Sequence, residues 1–154
     1  MEGAICNLKE IVKVCKKYKA YIYIDEAHSI GALGATGRGV CEYAGVDTRD
    51  IDVLMGTFTK SFSGMGGYIV GDKATIDYLR SRAPAIRYHN SMSPVVCQQI
   101  LTALRVIMGE DGTDIGLRKI QQLKVLQEYS IVYVKEALNS VVSVRTTRTS
   151  SGMR

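Results

Sequence analysis

The sequence predicts an α/β layer architecture, a mostly parallel sheet flanked by helices, on three observations. Short runs rich in β-branched and aromatic residues recur at 21–24 (YIYI), 52–58 (DVLMGTF) and 67–71 (GYIVG), apolar on both faces as buried parallel strands are. Longer stretches with apolar residues at helical spacing precede and follow them. The order is helix, strand, crossover, strand and then helices, which builds layers of helix against sheet.

Taken in order, residues 5–18 place Ile5, Leu8, Ile11, Val12, Cys15 and Tyr18 at helical spacing with lysines between them, an amphipathic helix. The first strand follows at once. A short helical turn is expected around GVCEYAG (39–45), before the second and third strands. Helices then dominate, at 73–82, about 94–108 and about 116–138. Ser93-Pro94 is an N-cap followed by proline at the first helical position, and GEDGTDIG (109–116) separates the last two helices.

The 154 residues, 46% hydrophobic and 23% charged with 2 prolines, describe an ordinary soluble globular chain with a real core. Of the net charge of +5, three charges come from Arg145, Arg148 and Arg154 in the acid-free segment 139–154. The body is therefore too nearly neutral to suggest a nucleic-acid partner, and the segment reads as a disordered Ser/Thr/Arg tail. Cys6, Cys15, Cys41 and Cys97 make no CxxC pair and no metal-ligand spacing with His28 or His89, so buried reduced thiols are expected and no metal. No signal peptide is evident, and no apolar run reaches the roughly 18 residues of a membrane span.

In open parallel sheets, ligands bind outside the carboxyl ends of the strands. Asp25 ends the first strand and Thr57 to Lys60 end the second, so both clusters should face one cleft. The stretch DEAHSIGALGATGRG (25–39) admits two chemistries. DEAH after a strand is a helicase signature, but such an enzyme also needs a phosphate loop ending in Gly-Lys-Ser/Thr, and this chain has none. Nor does that reading explain Gly31, Gly34, Gly37 and Gly39, or the second cluster GTFTKSFSGMGG (56–67).

Pyridoxal 5'-phosphate (PLP) accounts for nearly all of it. Its aldehyde needs a lysine amine, its pyridine nitrogen a carboxylate, its ring hydroxyl a donor, and its phosphate hydroxyls and N–H groups. Lys60 offers the amine, Asp25 the carboxylate and His28 the ring-oxygen contact, while Thr57 and Ser61 flank the lysine with hydroxyls. Each residue alone is a weak signal; the combination, with Lys60 35 residues after Asp25, is specific. Glu26 beside Asp25 reads as one half of a structural ion pair.

These two motifs resemble the α-oxoamine synthase family of PLP enzymes, over residues 1 to about 138. The form GTFTKSF, with YHNSMSP (88–94) and IMGEDGT (107–113), is most similar to the lysine-bearing members that condense L-serine with palmitoyl-CoA. The resemblance implies that Lys60 is the Schiff-base lysine, Asp25 the pyridine partner, His28 the ring-hydroxyl contact and Thr57 a phosphate contact. It implies a fold-type I large domain, here incomplete (1–138). Loss of CO2 in the reaction gives 3-ketosphinganine, and a related subunit lacking the lysine is the implied partner at the cytosolic face of the endoplasmic reticulum. Family enzymes run to several hundred residues, so the chain reads as a fragment unlikely to be active alone. The ring-stacking histidine and any membrane anchor are expected upstream, and the substrate-carboxylate arginine downstream. A glycine-using relative shares the same cofactor geometry, and a truncated product that binds a partner subunit is the non-enzymatic alternative. The chain departs from the family's TSxSPP pattern at Asn90 and Val95, so the contact to a neighbouring subunit's phosphate does not carry over.

Overall fold

In a computed structural model of the chain, residues 4–127 and 129 are described. The first helix, α1 (Leu8–Tyr18), starts three residues later than its apolar spacing suggests. Glu10 in its first turn and Lys16 and Lys17 in its last complement the helix dipole. Lys19 then turns left-handed (φ 53°) and closes the end. Strand β1 (Tyr23–Asp25) and α2 (Val40–Ala44) follow. A 3-10 turn (Thr48–Asp50), capped by the Asp47 side chain, leads into β2 (Val53–Thr57). Leu8 and Val12 of α1, Val40 and Cys41 of α2, and Ile22 and Ile51 beside the strands form the core, with Ile24 and Leu54 packed against it. Both helices thus cover one face of the first two strands.

β1 and β2 are parallel, with Tyr23 opposite Val53 and Asp25 opposite Met55. The Asp52 carboxylate accepts the Ile22 N–H (2.7 Å) and fixes where the pair begins. Strand β3 (Gly67–Gly71) has the bounds the sequence gives it, but it runs antiparallel to β2, with Thr57 opposite Gly67. The sheet is therefore mixed, and connection length is the reason. Residues 58–66 form a loop too short for the dozen or so residues of a parallel crossover.

The expectation that YIYI is buried on both faces also fails. β1 is the outer strand of the order β1-β2-β3, and Tyr21 is 90% and Tyr23 59% exposed, while Ile22 is buried. Among the described residues nothing covers that face. The thiols differ as well: Cys41 alone is fully buried, Cys15 is half-buried, and Cys6 and Cys97 are exposed.

Helix α3 (Lys73–Arg82) follows β3. Its end is set by Pro84, which keeps the residue before it out of the helical region; Ala83 is extended (ψ 120°). The same proline then opens a short helix, α4 (Pro84–Tyr88), that the periodicity does not reveal. Helix α5 (Pro94–Met108) begins as expected, with the Ser93 hydroxyl accepting the Val96 N–H, and ends at left-handed Gly109 (φ 72°). A last helix, α6, starts at 115 and is described to 127; its expected continuation to 138, and the tail at 139–154, lie outside the described residues. Gly116 lets α6 cross α5 closely, because a side chain there would lie 2.3 Å from the Val106 carbonyl.

Candidate active site

The parallel pairing of β1 and β2 brings their carboxyl ends to one edge, with Asp25 opposite Met55 and Thr57 two residues further along β2. Past Asp25 the chain turns sharply. The Ala27 N–H donates to Asp25 Oδ1 (2.8 Å), which aligns the carboxylate and leaves Oδ2 without a protein partner among the described residues. His28 stands exposed on this turn.

Lys60 lies exposed in the loop 58–66. The loop's neck is closed by the Phe58 N–H to the Gly66 carbonyl (2.9 Å) and the Gly64 N–H to the Phe58 carbonyl (2.8 Å). The Thr57 hydroxyl donates to the Gly66 carbonyl (3.1 Å) and accepts the Thr59 N–H (3.2 Å). Phe62, 2% exposed, anchors the loop edge-on against Phe58, and Gly64 lets it sit on Ile100 of α5, where a side chain would lie 2.6 Å from Ile100 Cγ1.

The two motifs meet at one bond. The Ser61 hydroxyl, next to Lys60, donates to the Ile30 carbonyl (2.9 Å), two residues beyond His28. Gly31 makes the approach possible: it has φ +75°, and a Cβ there would lie 2.5 Å from Ser61 Cβ. Both hydroxyls that spacing suggested for phosphate thus have their protons engaged inside the protein, Thr57 with Gly66 and Ser61 with Ile30. Either would have to rotate to donate to an anion.

Two carboxylates shape the glycine-rich loop, and spacing concealed both. Glu26 is 4% exposed and pairs with no cation among the described residues, so the expected ion pair is absent. Instead it accepts the Ser29 hydroxyl (3.2 Å) and hydrogen bonds from Val40 and Cys41 at the start of α2, where unpaired N–H groups can compensate a buried negative charge. Burial outweighs those bonds and raises its pKa. Glu42 holds the loop's far side, accepting the Thr36 N–H (3.1 Å), the Thr36 hydroxyl (2.8 Å) and the Arg38 N–H (3.0 Å). Desolvation opposes this, but the hydrogen bonds dominate and its pKa is lowered. Local sequence does not announce the Glu26 role, because its helix partners, Val40 and Cys41, come fourteen and fifteen residues later.

Burial, with the Glu26 charge adding, pushes the Cys41 thiol up to about 11. Iodoacetamide near neutral pH should therefore modify Cys6 and Cys97 quickly and leave Cys41 untouched until the chain unfolds, as peptide mass mapping would show. Fast labelling of Cys41 in folded protein would contradict this arrangement.

An adjoining apolar cavity of about 640 Å³ is lined by Ile30 and Gly31 of the glycine-rich loop together with Phe58, Phe62, Leu104 and Leu117. None of Asp25, His28, Thr57, Lys60 or Ser61 lines it.

Comparison with known proteins agrees with the motifs. The family model for aminotransferase class I and II matches residues 1–139. Long chain base biosynthesis protein 2c of Oryza sativa subsp. japonica is 60% identical over 124 residues, 80% of this chain and 25% of that protein. Serine palmitoyltransferase 2 of Dictyostelium discoideum is 57% identical over 136 residues, 88% of this chain and 28% of that protein. Among solved structures, Sphingomonas wittichii serine palmitoyltransferase superposes with a TM-score of 0.64 at 40% identity, covering 70% of this chain and 27% of that one. A solved SPT with PLP reaches 0.68 at 34% identity, covering 79% and 29%. The chain spans about a quarter of the length of the curated relatives it matches. With the family model covering nearly all of the sequence, the chain belongs to the aminotransferase class I and II family.

Proposed function

We propose that this chain forms the lysine-bearing, PLP-binding part of an enzyme that condenses L-serine with palmitoyl-CoA, with loss of CO2, to 3-ketosphinganine. The observation that carries the reading is the Ser61–Ile30 bond, which fastens the lysine loop to the turn bearing Asp25 and His28 at the carboxyl edge of β1 and β2. The donor set fits the group: a lysine amine for the aldehyde, a carboxylate oxygen free of protein partners for the pyridine nitrogen, and an imidazole for the ring oxygen.

Bound PLP would supply an electron sink for a carbanion at the serine α-carbon. Asp25 would hold the proton on the ring nitrogen, and Lys60 would hold the aldehyde and, as a free amine once serine is bound, accept the serine α-proton at its Nζ. His28 would orient the ring, with Thr57 and Ser61 at the phosphate. The same reading gives the enzyme a related, lysine-less partner subunit and a place at the cytosolic face of the endoplasmic reticulum. No helix among the described residues is long and apolar enough to cross a membrane.

The test installs this segment in place of the matched residues of the Dictyostelium enzyme and supplies serine or glycine with palmitoyl-CoA. Serine-dependent 3-ketosphinganine is expected by mass spectrometry. Asp25→Asn should retain PLP but lose roughly a hundredfold or more in turnover, since an amide cannot hold the ring proton as a carboxylate does. A preference for glycine would overturn the substrate, and unimpaired turnover by Asp25→Asn would remove Asp25 from its role.

A further inference from the structure

We infer that Glu26 is the positioning residue for this site, holding Asp25 and His28 in place from the buried side of their own turn. The inference rests on the PLP reading for its functional consequence and on geometry for its substance. Consecutive residues leaving a strand point to opposite sides, so Asp25 faces the exposed mouth while Glu26 turns inward. Every polar group of Glu26 is engaged. Its N–H donates to the Met55 carbonyl of β2 (2.7 Å), and its carbonyl accepts the Ser29 and Ile30 N–H groups (both 3.0 Å). Its carboxylate binds the Ser29 hydroxyl and the start of α2. One residue therefore ties the turn to the neighbouring strand, to itself and to the helix behind it.

The side chains of Asp25 and His28 have no comparable anchor: among the described residues their one hydrogen bond to protein is Asp25 Oδ1 with the Ala27 N–H, and the Asp25 backbone is held by its place opposite Met55. Gly39 belongs to the same device. It has φ +87°, and a Cβ there would lie 1.7 Å from Glu26 Oε2, so α2 can receive the carboxylate only behind a glycine. Glu42 supplies an internal control. It holds the same glycine loop through Thr36 and Arg38, with no bond to residues 25–30.

Glu26→Gln keeps the shape but has one acceptor oxygen where the carboxylate has two, so an amide NH2 faces either the Ser29 hydroxyl or the N–H groups of α2. In the full-length host carrying this segment, it should speed hydrogen exchange at the Ser29 and Ile30 amides by about tenfold. It should also weaken PLP binding and lower kcat by up to about a hundredfold, with the palmitoyl-CoA KM unchanged. Glu42→Gln should cost melting temperature yet leave exchange at 27–30 and PLP affinity as they were. Should Glu26→Gln fail to fold, Glu26→Asp, which keeps the charge but draws it back from α2, replaces it in the same comparison. The inference is overturned if exchange at 27–30 is unchanged on altering Glu26, or if the Glu42 variant reproduces its loss of PLP affinity. If the unaltered protein takes no PLP at Lys60, the functional reading fails by itself, while the exchange comparison still decides the positioning role.

Discussion

Lys60→Ala should abolish both covalent PLP labelling and turnover, the largest effect expected of any single substitution in this chain. The expectation comes from placement. Lys60 occupies the loop that leaves the carboxyl end of β2, and Ser61 binds that loop to the Asp25–His28 turn. The other lysines of the described residues lie in α1 or just after it, at the start of α3, or on α6. Lys60→Arg should fail as completely, because a guanidinium keeps the charge but is neither a ready nucleophile toward an aldehyde nor able to give up its proton. Incubating the enzyme with PLP, reducing with borohydride and mapping the peptides would locate the label. Label on Lys60, absent from both variants, is the expected result. Label retained on another lysine would transfer the role away from Lys60 and leave the site without its nucleophile.

The sequence revealed those features of the fold that short-range rules determine. Ser93-Pro94 caps and starts α5, and the bounds of β3 and α3 follow from local pattern. The shared edge of Asp25 and Thr57 followed from reading two apolar runs as parallel strands. The direction of β3 was equally available, since residues 58–66 cannot hold a crossover, but apolar patterning says nothing of direction. The exposed Tyr21 and Tyr23 show the same limit: a strand's pattern records what could be covered, and not what covers it.

At the site, residue type and spacing identified groups but not how they are committed. Thr57 and Ser61 look like free hydroxyls in sequence, yet each donates to a carbonyl across a loop. Glu26 looked like half of a structural ion pair; it is instead a buried acid, compensated by the Ser29 hydroxyl and by helix N–H groups fourteen and fifteen residues away. The four glycines became intelligible only with coordinates. Each has a positive φ, and each makes room for a side chain: Ser61 at Gly31, Glu42 at Gly34, Ile120 at Gly37 and Glu26 at Gly39.

Expressed alone, these 154 residues should give no multiple-turnover condensation of serine with palmitoyl-CoA, even with saturating PLP. Tyr21 and Tyr23 beside β1, Ile69 and Val70 on β3, and Tyr88 and Val95 near α5 all present apolar surface to water. Both outer strands, β1 and β3, have an unpaired side among the described residues. Unpaired edges and exposed apolar faces favour association between chains over a fixed monomeric fold. Catalysis is sensitive to that looseness, because correct orientation of reacting groups can supply roughly 7–11 kcal/mol of barrier reduction. Asp25 ends β1, His28 lies on the turn after it and Lys60 on the loop after β2; beyond the strand pairing, the hydrogen bond between the two loops among the described residues is Ser61–Ile30. A joint that slender can bring an amine to an aldehyde, so slow borohydride-fixed labelling of Lys60 is expected. It cannot by itself hold two substrates in register through proton removal and carbon–carbon bond formation. Size-exclusion chromatography with light scattering should find oligomers or aggregates, and mass spectrometry should find no 3-ketosphinganine beyond background. Several turnovers per chain from a monodisperse preparation would show that the Asp25–His28 turn and the Lys60 loop suffice, and that positioning here is far more rigid than one hydrogen bond suggests.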